Sequence, residues 1–302
     1  MTSLPITVFT PTYNRVGLVG GGYESLLAQE DAPPFEWVVV DDGSTDGTAD
    51  KVAGWAGDAP FPVWCLRQEN RGKHVAINRG VAAASGELFV ILDSDDRLAP
   101  GALAAVWRHW LSIPEGQRDG FAGVVGLCAT LGGEVVGDAF PTSPLDTDVL
   151  DVRLRLRVRG DKSEVYRTEV LRAYPFPEDL GRFVTEGLVW NRIARRHRMR
   201  CVNDVFALVD YQADGLSARS VQLRTGAPRA ARLYYDELLG LDRPLPLRAV
   251  ARAAANHARF SLHAGVRPGV TGQVKGGRWR RLVYAASFPL GAALYLRDRL
   301  RR

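Results

Sequence analysis

The segment FEWVVVDDGSTDGTADKVAGWA, residues 35–56, carries the pattern from which the fold is predicted. Its β-branched run WVVVDD (37–42) is apolar until it ends in two aspartates. A loop rich in Gly, Ser and Asp follows, and TADKVAGWA (48–56) then has the spacing of a helix. A strand that is apolar on both faces and leads into a helix is typical of a parallel sheet covered by helices.

The same alternation of strand and helix extends over the first hundred residues. Further strand-like runs are ITVFT (6–10), VWCL (63–66) and LFVILD (88–93), and further helical segments are YESLLAQ (23–29) and HVAINRGVAAAS (74–85). Three consecutive glycines, residues 20–22, have low helix propensity, so the first helix is predicted to begin near Tyr23. The fold class predicted is α/β, with a mostly parallel, Rossmann-like sheet flanked by helices.

Two segments in the middle of the chain have β-like patterns. GFAGVVGLCATLGGEVVGDAF (120–140) predicts a hairpin that turns at Gly132-Gly133. DVRLRLRVRG (151–160) alternates Val or Leu with Arg, which predicts a half-buried strand with an arginine outer face. That face is either a solvated edge or a stripe that meets phosphate or lipid.

Charge is distributed unevenly along the chain. Residues 1–215 contain 22 Lys and Arg against 30 Asp and Glu, whereas residues 216–302 contain 17 against 4. We therefore predict a domain at 1–215, with halves at 1–100 and 101–215, and a basic helical extension at 216–302. A basic extension suits an anionic membrane face or a nucleic acid; sparse aromatic residues and the acidic N-terminal body disfavour nucleic acid.

The last segment contains 15 uncharged residues, Leu282–Leu296, with arginines at both ends and Pro289 inside. A bilayer span takes about 20 residues, so this run is short for a transmembrane helix. Two interpretations stay open: peripheral contact of residues 278–302 with an anionic membrane, and packing on the protein's own core.

Three scattered cysteines and the absence of a signal-peptide pattern predict a cytoplasmic protein without a disulfide framework or structural zinc site. Such a protein could lie peripherally at the inner face of the cell membrane.

Polar residues follow each of the four predicted strands. The strand ends read TPTYNR (10–15), DDGSTDGT (41–48), RQENRGKH (67–74) and DSDDR (93–97). Because ligands bind outside the carboxyl ends of parallel strands, these residues are expected at one edge. Carboxylates interleaved with Arg and Lys suit a diphosphate chelated by Mg²⁺ or Mn²⁺.

These segments, in this order and at ordinary spacing, resemble the nucleotide-binding half of family 2 glycosyltransferases with the GT-A fold. The similarity is dense over residues 5–105 and looser in GDKSEVYRTEVLRAYPFPED and FVTEGLVWNRIARR, which resemble bacterial enzymes that act on surface polysaccharides. The resemblance implies an inverting, metal-dependent transferase. It would move a sugar from a nucleotide-diphosphate donor, with UDP the commonest, to a hydroxyl of a glycan or lipid-linked acceptor.

The resemblance also implies site residues. Asp93-Ser94-Asp95 matches the DxD motif, with Asp95 as the direct metal ligand and Asp93 on the ribose or on metal-bound water. Asp96 has no assigned role. The remaining residues implied for nucleotide-sugar binding are Thr10, Pro11, Tyr13 (stacked on the base), Arg15, Asp41, Asp42 (which reads the base), Arg71 and Lys73.

An inverting displacement needs a general base for the acceptor hydroxyl. The family places a carboxylate 80–100 residues after the DxD motif, and Glu186 lies 91 residues after Asp95. Many relatives have an acidic pair at this point, whereas this chain reads Glu186-Gly187. Asp179, beside Glu178, is the competing candidate.

The sequence is compatible with two other functions. A sugar-phosphate nucleotidyltransferase would share the fold, but it would carry a Gly-rich basic loop where this chain reads TPTYNRVG. A nucleotide-sugar-binding protein without activity would not need Asp93, Asp95 and Glu186 together.

Overall fold

The computed structural model describes residues 4–210, 220–269 and 277–300, and the side chains of residues 277 and 278 lie outside the description. The strands are β1 (Leu4–Thr12), β2 (Phe35–Asp41), β3 (Val63–Arg67), β4 (Gly86–Ile91), β5 (Arg97–Leu98), β6 (Phe121–Thr130), β7 (Leu145–Thr147), β8 (Lys162–Arg167) and β9 (Arg198–Val209). The helices are α1 (Val19–Leu27), α2 (Thr48–Trp55), α3 (Lys73–Ala83), α4 (Ala102–Leu111), α5 (Thr168–Ala173), α6 (Gly187–Ile193), α7 (Ser220–Gly226), α8 (Pro228–Leu239), α9 (Leu247–His263) and α10 (Gly277–Leu300).

A single mixed sheet organises the N-terminal part of the chain. Its strand order is β3-β2-β1-β4-β8-β6-β9-β5, and β7 pairs with β9 off this path. The first four strands are parallel, as predicted, and β8 joins β4 antiparallel. β1, β2 and β4 are largely buried because helices cover them, which explains their apolar sequence, whereas in β3 only Val63 is buried.

The first helix begins at Val19, four residues before the predicted start near Tyr23, so that prediction was wrong. The three glycines lie inside the helix, because packing of its buried residues, among them Val19 and Leu26, outweighs the low helix propensity of glycine. A Cβ on Gly21 would lie 3.0 Å from Arg97 Nε and would require that side chain to shift, whereas one on Gly22 would make an ordinary contact at 3.5 Å with a Leu92 methyl.

The prediction of a strand at 151–160 is also wrong, because Asp151–Leu156 form a π-helical turn. Of the apolar residues in the alternation, Val152 is buried, while Arg153 pairs with Glu164 at 3.1 Å. Alternation of apolar residues with arginine shows only that the two faces of the segment differ. A strand also needs a neighbouring strand that completes its backbone hydrogen bonds. Arg157 ends the turn with a φ of 62°.

The hairpin predicted at 120–140 forms only in part. The turn is present, with Gly133 N–H donating to Thr130 O at 2.9 Å. Beyond it, pairing with β6 is a single bridge between Ala129 and Val135 and not a second strand.

The chain divides into two compact units. One comprises residues 1–153, 157–176 and 192–213, and the other comprises 154–156, 177–191 and 214–302. The boundary predicted at residue 215 lies outside the described residues, and the predicted domain division stays a prediction.

In the second unit, α10 packs along α9. Gly291 permits this approach, because a Cβ there would lie 2.5 Å from Ala255 O and 2.8 Å from Ala258 Cβ. Tyr284 Oη lies 2.8 Å from His257 Nδ1. No helix in the described ranges has both the length and the apolar character that crossing a membrane requires.

Candidate active site

The carboxyl ends of the four parallel strands lie side by side. Thr12 at the end of β1 is in register with Asp41 of β2, and Asp41 is in register with Arg67 of β3. On the other side of β1, Phe9 is in register with Ile91, two residues before Asp93. The sheet register thus brings the four polar strand ends to one edge, as the sequence predicts.

The loop after β1 is fixed to the loop after β2 by hydrogen bonds. Asn14 N–H donates to Ser44 Oγ at 2.8 Å, and Thr45 N–H donates to Asn14 Oδ1 at 2.8 Å. Arg15 N–H donates to Thr48 Oγ1 at 3.0 Å. Tyr13 lies at the start of this fixed loop with 49% of its surface exposed, so an aromatic face is available at the edge.

Asp41 and Asp42 are both buried, and each is engaged by the protein. Asp41 Oδ1 accepts a hydrogen bond from Ser44 N–H at 3.0 Å, and its Oδ2 lies 3.5 Å from Arg67 Nε. Asp42 Oδ1 accepts from Gln68 Nε2 at 2.7 Å and from the N–H of Arg71 at 2.9 Å. The geometry therefore assigns Asp42 a role in holding the loop that precedes α3, in addition to the predicted contact with the base.

Three carboxylates lie together after β4. Asp93, Asp95 and Asp96 each offer an oxygen, and these oxygens lie within 4.8 Å of one another. Burial and the neighbouring charges of Asp93 and Asp95 raise the pKa of Asp96 to about 7. Burial and the charge of Asp93 also raise the pKa of Asp95. The charged forms of Asp95 and Asp96 are thus disfavoured, and a bound cation would stabilise them.

This cluster fits a divalent metal ion. Carboxylate oxygens are the ligands that Mg²⁺ and Mn²⁺ favour, and three from one short loop converge here. Burial first, and repulsion between the carboxylates second, raise the pKa values of Asp95 and Asp96, and a bound divalent charge would oppose both effects.

The other predicted residues differ in accessibility. Thr10 and Pro11 are buried in β1, and the Thr10 hydroxyl accepts a hydrogen bond from Trp37 Nε1 at 3.0 Å. Ser94 is 8% exposed, whereas Arg71 is exposed.

The candidate bases lie in the second unit. Glu186 is half-buried, and its carbonyl accepts hydrogen bonds from the N–H groups of Val189 and Trp190 at the start of α6. Asp179 and Glu178 are exposed. The choice between Glu186 and Asp179 stays a prediction.

Several residues that shape the site were not predicted from the sequence. Ser44 and Thr48 anchor the loop after β1, Gln68 binds Asp42, and Asp210 N–H donates to Asp96 Oδ1 at 3.3 Å. The Ser and Thr of DGSTDGT are a local signal for such capping contacts. The contact of Asp210 spans 114 positions, and no local pattern predicts it.

Residues 7–127 match the family model described as Glycosyl transferase family 2. The chain carries a family 2 glycosyltransferase domain. The match covers the four parallel strands and the Asp93–Asp96 cluster, which are the features that form the candidate site.

A curated relative is the GalNAc(5)-diNAcBac-PP-undecaprenol beta-1,3-glucosyltransferase of Campylobacter jejuni. It is 32% identical to this chain over 124 residues, which are 41% of this chain and 38% of the relative. The chain spans about a third of the length of the curated relatives it matches first.

Solved structures show the same fold over nearly the whole chain. S. aureus TarS 1–349 in complex with UDP has a TM-score of 0.62 at 19% identity and covers 99% of this chain and 92% of its own. The mannosyltransferase PcManGT of Pyrobaculum calidifontis, in complex with GDP-Man and Mn²⁺, has a TM-score of 0.58 at 23% identity. The match covers 99% of this chain and 88% of PcManGT. The predicted GT-A fold, with C-terminal helices, is confirmed.

Proposed function

We propose that the protein is an inverting glycosyltransferase that takes a sugar from a nucleotide-diphosphate donor, with UDP as the nucleotide. The observation that carries this proposal is the convergence at one sheet edge of an exposed aromatic ring, a three-carboxylate cluster and basic side chains. These are Tyr13, Asp93, Asp95 and Asp96, and Arg15, Arg71 and Lys73.

Each group has a task that its chemistry suits. Tyr13 stacks on the nucleotide base with its exposed ring. Asp42 binds the base side of the donor, and the fully buried Asp41 beside it holds the loop after β2, while Arg71 and Lys73 bind the diphosphate. The family membership and the UDP complex of TarS support this choice of donor.

Asp95, with Asp93 directly or through water, would hold a divalent cation. When bound, Mn²⁺ or Mg²⁺ supplies positive charge against the diphosphate as it leaves. The Mn²⁺ complex of PcManGT supports divalent metal use, and the three converging carboxylates provide the ligands.

Glu186 takes the proton of the acceptor hydroxyl, with Asp179 as the alternative. Inversion requires this base on the face of the sugar opposite the leaving diphosphate. Glu186 lies 91 residues after Asp95 and is half-buried, whereas Asp179 is exposed, and both facts support the choice of Glu186.

The acceptor is proposed to be a glycan or lipid-linked sugar presented at the cytoplasmic face of a membrane. The name of the Campylobacter relative specifies an undecaprenol-linked acceptor. Residues 278–302 would contact the anionic membrane surface, since α10 carries exposed leucines between arginine-bearing ends.

Transfer from UDP-sugars to a lipid-linked acceptor, with donor hydrolysis measured alongside, tests the proposal. Activity should be lost with EDTA and in Asp95→Ala. Glu186→Gln should keep UDP binding and lose transfer, whereas Asp179→Asn should keep both. The reverse result for these two variants would make Asp179 the base.

Two outcomes would replace the proposal. Tight UDP-sugar binding with no turnover of any acceptor or of water would favour a binding protein. Formation of a nucleotide sugar from a nucleoside triphosphate and a sugar phosphate would favour a nucleotidyltransferase.

A further inference from the structure

Lys73 is paired with the first carboxylate of the acidic cluster. Its Nζ lies 2.6 Å from Asp93 Oδ1 and 2.8 Å from Asp93 Oδ2, so the ammonium contacts both oxygens. Both side chains are partly buried, with 23% of the Lys73 side chain and 39% of the Asp93 side chain exposed. The pair therefore occupies oxygens that a metal ion at this cluster would also use.

The backbone places Lys73 at this position. Lys73 is the first residue of α3, and Gly72 before it has a φ of 100°, which lets the chain turn into the helix. Asp42 Oδ2 accepts a hydrogen bond from Gly72 N–H at 2.8 Å. The loop is thus tied to the end of β2, and the Lys73 side chain starts from a fixed point beside β4.

Each member of the Lys73–Asp93 pair could bind another charged group at this edge. A divalent cation at the cluster would compete with the ammonium for Asp93, because both are attracted to the same carboxylate. A diphosphate at the same edge would offer the ammonium another anion. Lysine suits such an exchange because its ammonium is a compact point charge on a flexible chain.

We propose that Lys73 couples metal binding to donor binding. Without the donor, it holds both oxygens of Asp93 and weakens the affinity of the cluster for a divalent cation. When a nucleotide diphosphate binds, Lys73 moves to the phosphates and releases Asp93. This coupling rests on the proposed function, since it requires a diphosphate ligand at this edge.

Binding of Mn²⁺ to the full-length protein, measured by the EPR signal of free Mn²⁺ with and without UDP, tests the coupling. A neighbouring unit charge shifts a carboxylate's protonation equilibrium by roughly 1–3 pKa units, so Lys73→Met should bind Mn²⁺ about tenfold more tightly without UDP. UDP should also strengthen Mn²⁺ binding by a smaller factor in Lys73→Met than in the wild type. Unchanged or weaker Mn²⁺ binding by Lys73→Met without UDP would overturn the proposal.

Arg97 provides a matched control. It follows Asp96 directly, but its guanidinium lies 3.6 Å from Glu24. Arg97→Gln should therefore change Mn²⁺ affinity much less than Lys73→Met. Equal tightening in both variants would mean that general charge, and not the Lys73–Asp93 pair, sets the affinity.

The two proposals fail in distinguishable ways. A wild-type protein that binds Mn²⁺ but no nucleoside diphosphate would overturn the proposed function and, with it, the coupling. A wild type that binds UDP, together with a Lys73→Met variant whose Mn²⁺ affinity and response to UDP are unchanged, would overturn the coupling alone.

Discussion

Arg259 of α9 binds both carboxylate oxygens of Asp298 of α10, at 2.5 and 2.6 Å. His263 Nε2 lies 3.0 Å from the same carboxylate. Although burial alone would raise the pKa of Asp298, Arg259 and His263 hold it below its usual value. Because Arg259 and Asp298 are only 6% and 7% exposed, this ion pair fixes the last helix to its neighbour within the second unit.

Asp298→Asn should destabilise the second unit by about 3 kcal/mol, because it leaves the Arg259 charge buried without its partner. Hydrogen exchange of the amides in α9 and α10 would measure this loss. Arg297 is exposed and lies one residue away, so Arg297→Gln should lower the free energy of unfolding by at most about 0.5 kcal/mol. Equal exchange in the two variants would contradict a stabilising role for the pair.

Acid should weaken the second unit through His257. This side chain is fully buried beside Tyr284, Asp236 and Arg232, and burial lowers the pKa of His257 to about 4, although Asp236 opposes the shift. The unfolded chain takes up this proton near pH 6.5, so the free energy of unfolding should fall as pH decreases from about 6.5 to about 4. Titration of His257 alone should lower the free energy of unfolding by about 3 kcal/mol across this range.

Denaturant unfolding of the wild type and of His257→Gln across this pH range isolates that contribution. The difference between the two curves should change between about pH 6.5 and about pH 4 and be constant above and below that range. Parallel curves would show that His257 titrates alike in the folded and unfolded chains.

Gly43 should be required for donor binding. A Cβ there would lie 2.9 Å from Asn70 N and 3.2 Å from Gln68 O, so Gly43→Ala should displace the loop that carries Arg71. Gly47 has nearly the same φ, 88° against 86°, but nothing lies within 4 Å of its Cβ position.

Comparing Gly43→Ala with Gly47→Ala therefore separates the steric clash from the backbone strain, which costs about 1–3 kcal/mol in both. Calorimetric titration with UDP and Mn²⁺ should give at least a tenfold larger loss of affinity in Gly43→Ala, since about 1.4 kcal/mol corresponds to tenfold. Equal losses would exclude the loop contact as the cause.

The outward face of α10 offers a test of membrane contact. Leu282, Leu290 and Leu296 are 58–70% exposed and lie opposite the buried Tyr284 and Gly291. The triple variant Leu282→Ser, Leu290→Ser, Leu296→Ser should lose at least about tenfold in binding to phosphatidylglycerol vesicles, because each leucine contributes apolar area.

Leu247→Ser is the control for that experiment, since Leu247 is 63% exposed at the start of α9. It should sediment with vesicles as the wild type does. Wild-type protein that stays in the supernatant, or equal binding by the triple variant, would refute membrane contact through this face. These substitutions are preferable to deleting α10, because deletion would also remove Asp298 from Arg259.

The sequence predicts some features of the fold correctly and others wrongly. The polar ends after β1, β2, β3 and β4 were predicted to meet, and they do, because parallel strands share a carboxyl edge. The arginine-rich segment at 151–160 was predicted as a strand and is a π-helical turn, because alternation alone does not provide a pairing neighbour. The glycines at 20–22 were predicted to delay α1, but the helix begins at Val19, because packing of its buried face outweighs the low helix propensity of glycine.

From the amino-acid sequence alone follow the alternation of strands and helices over the first hundred residues, the edge at which the polar loops gather and the aspartates that form the acidic cluster. These follow from periodicity and from the geometry of parallel strands, which are local properties. What each charged group contacts is set by the packing of distant elements: Asp42 holds the loop before α3, Lys73 pairs with Asp93, and Asp298 pairs with Arg259. Such contacts join residues 20 or more positions apart, and their geometry depends on how the elements pack, which no local pattern encodes.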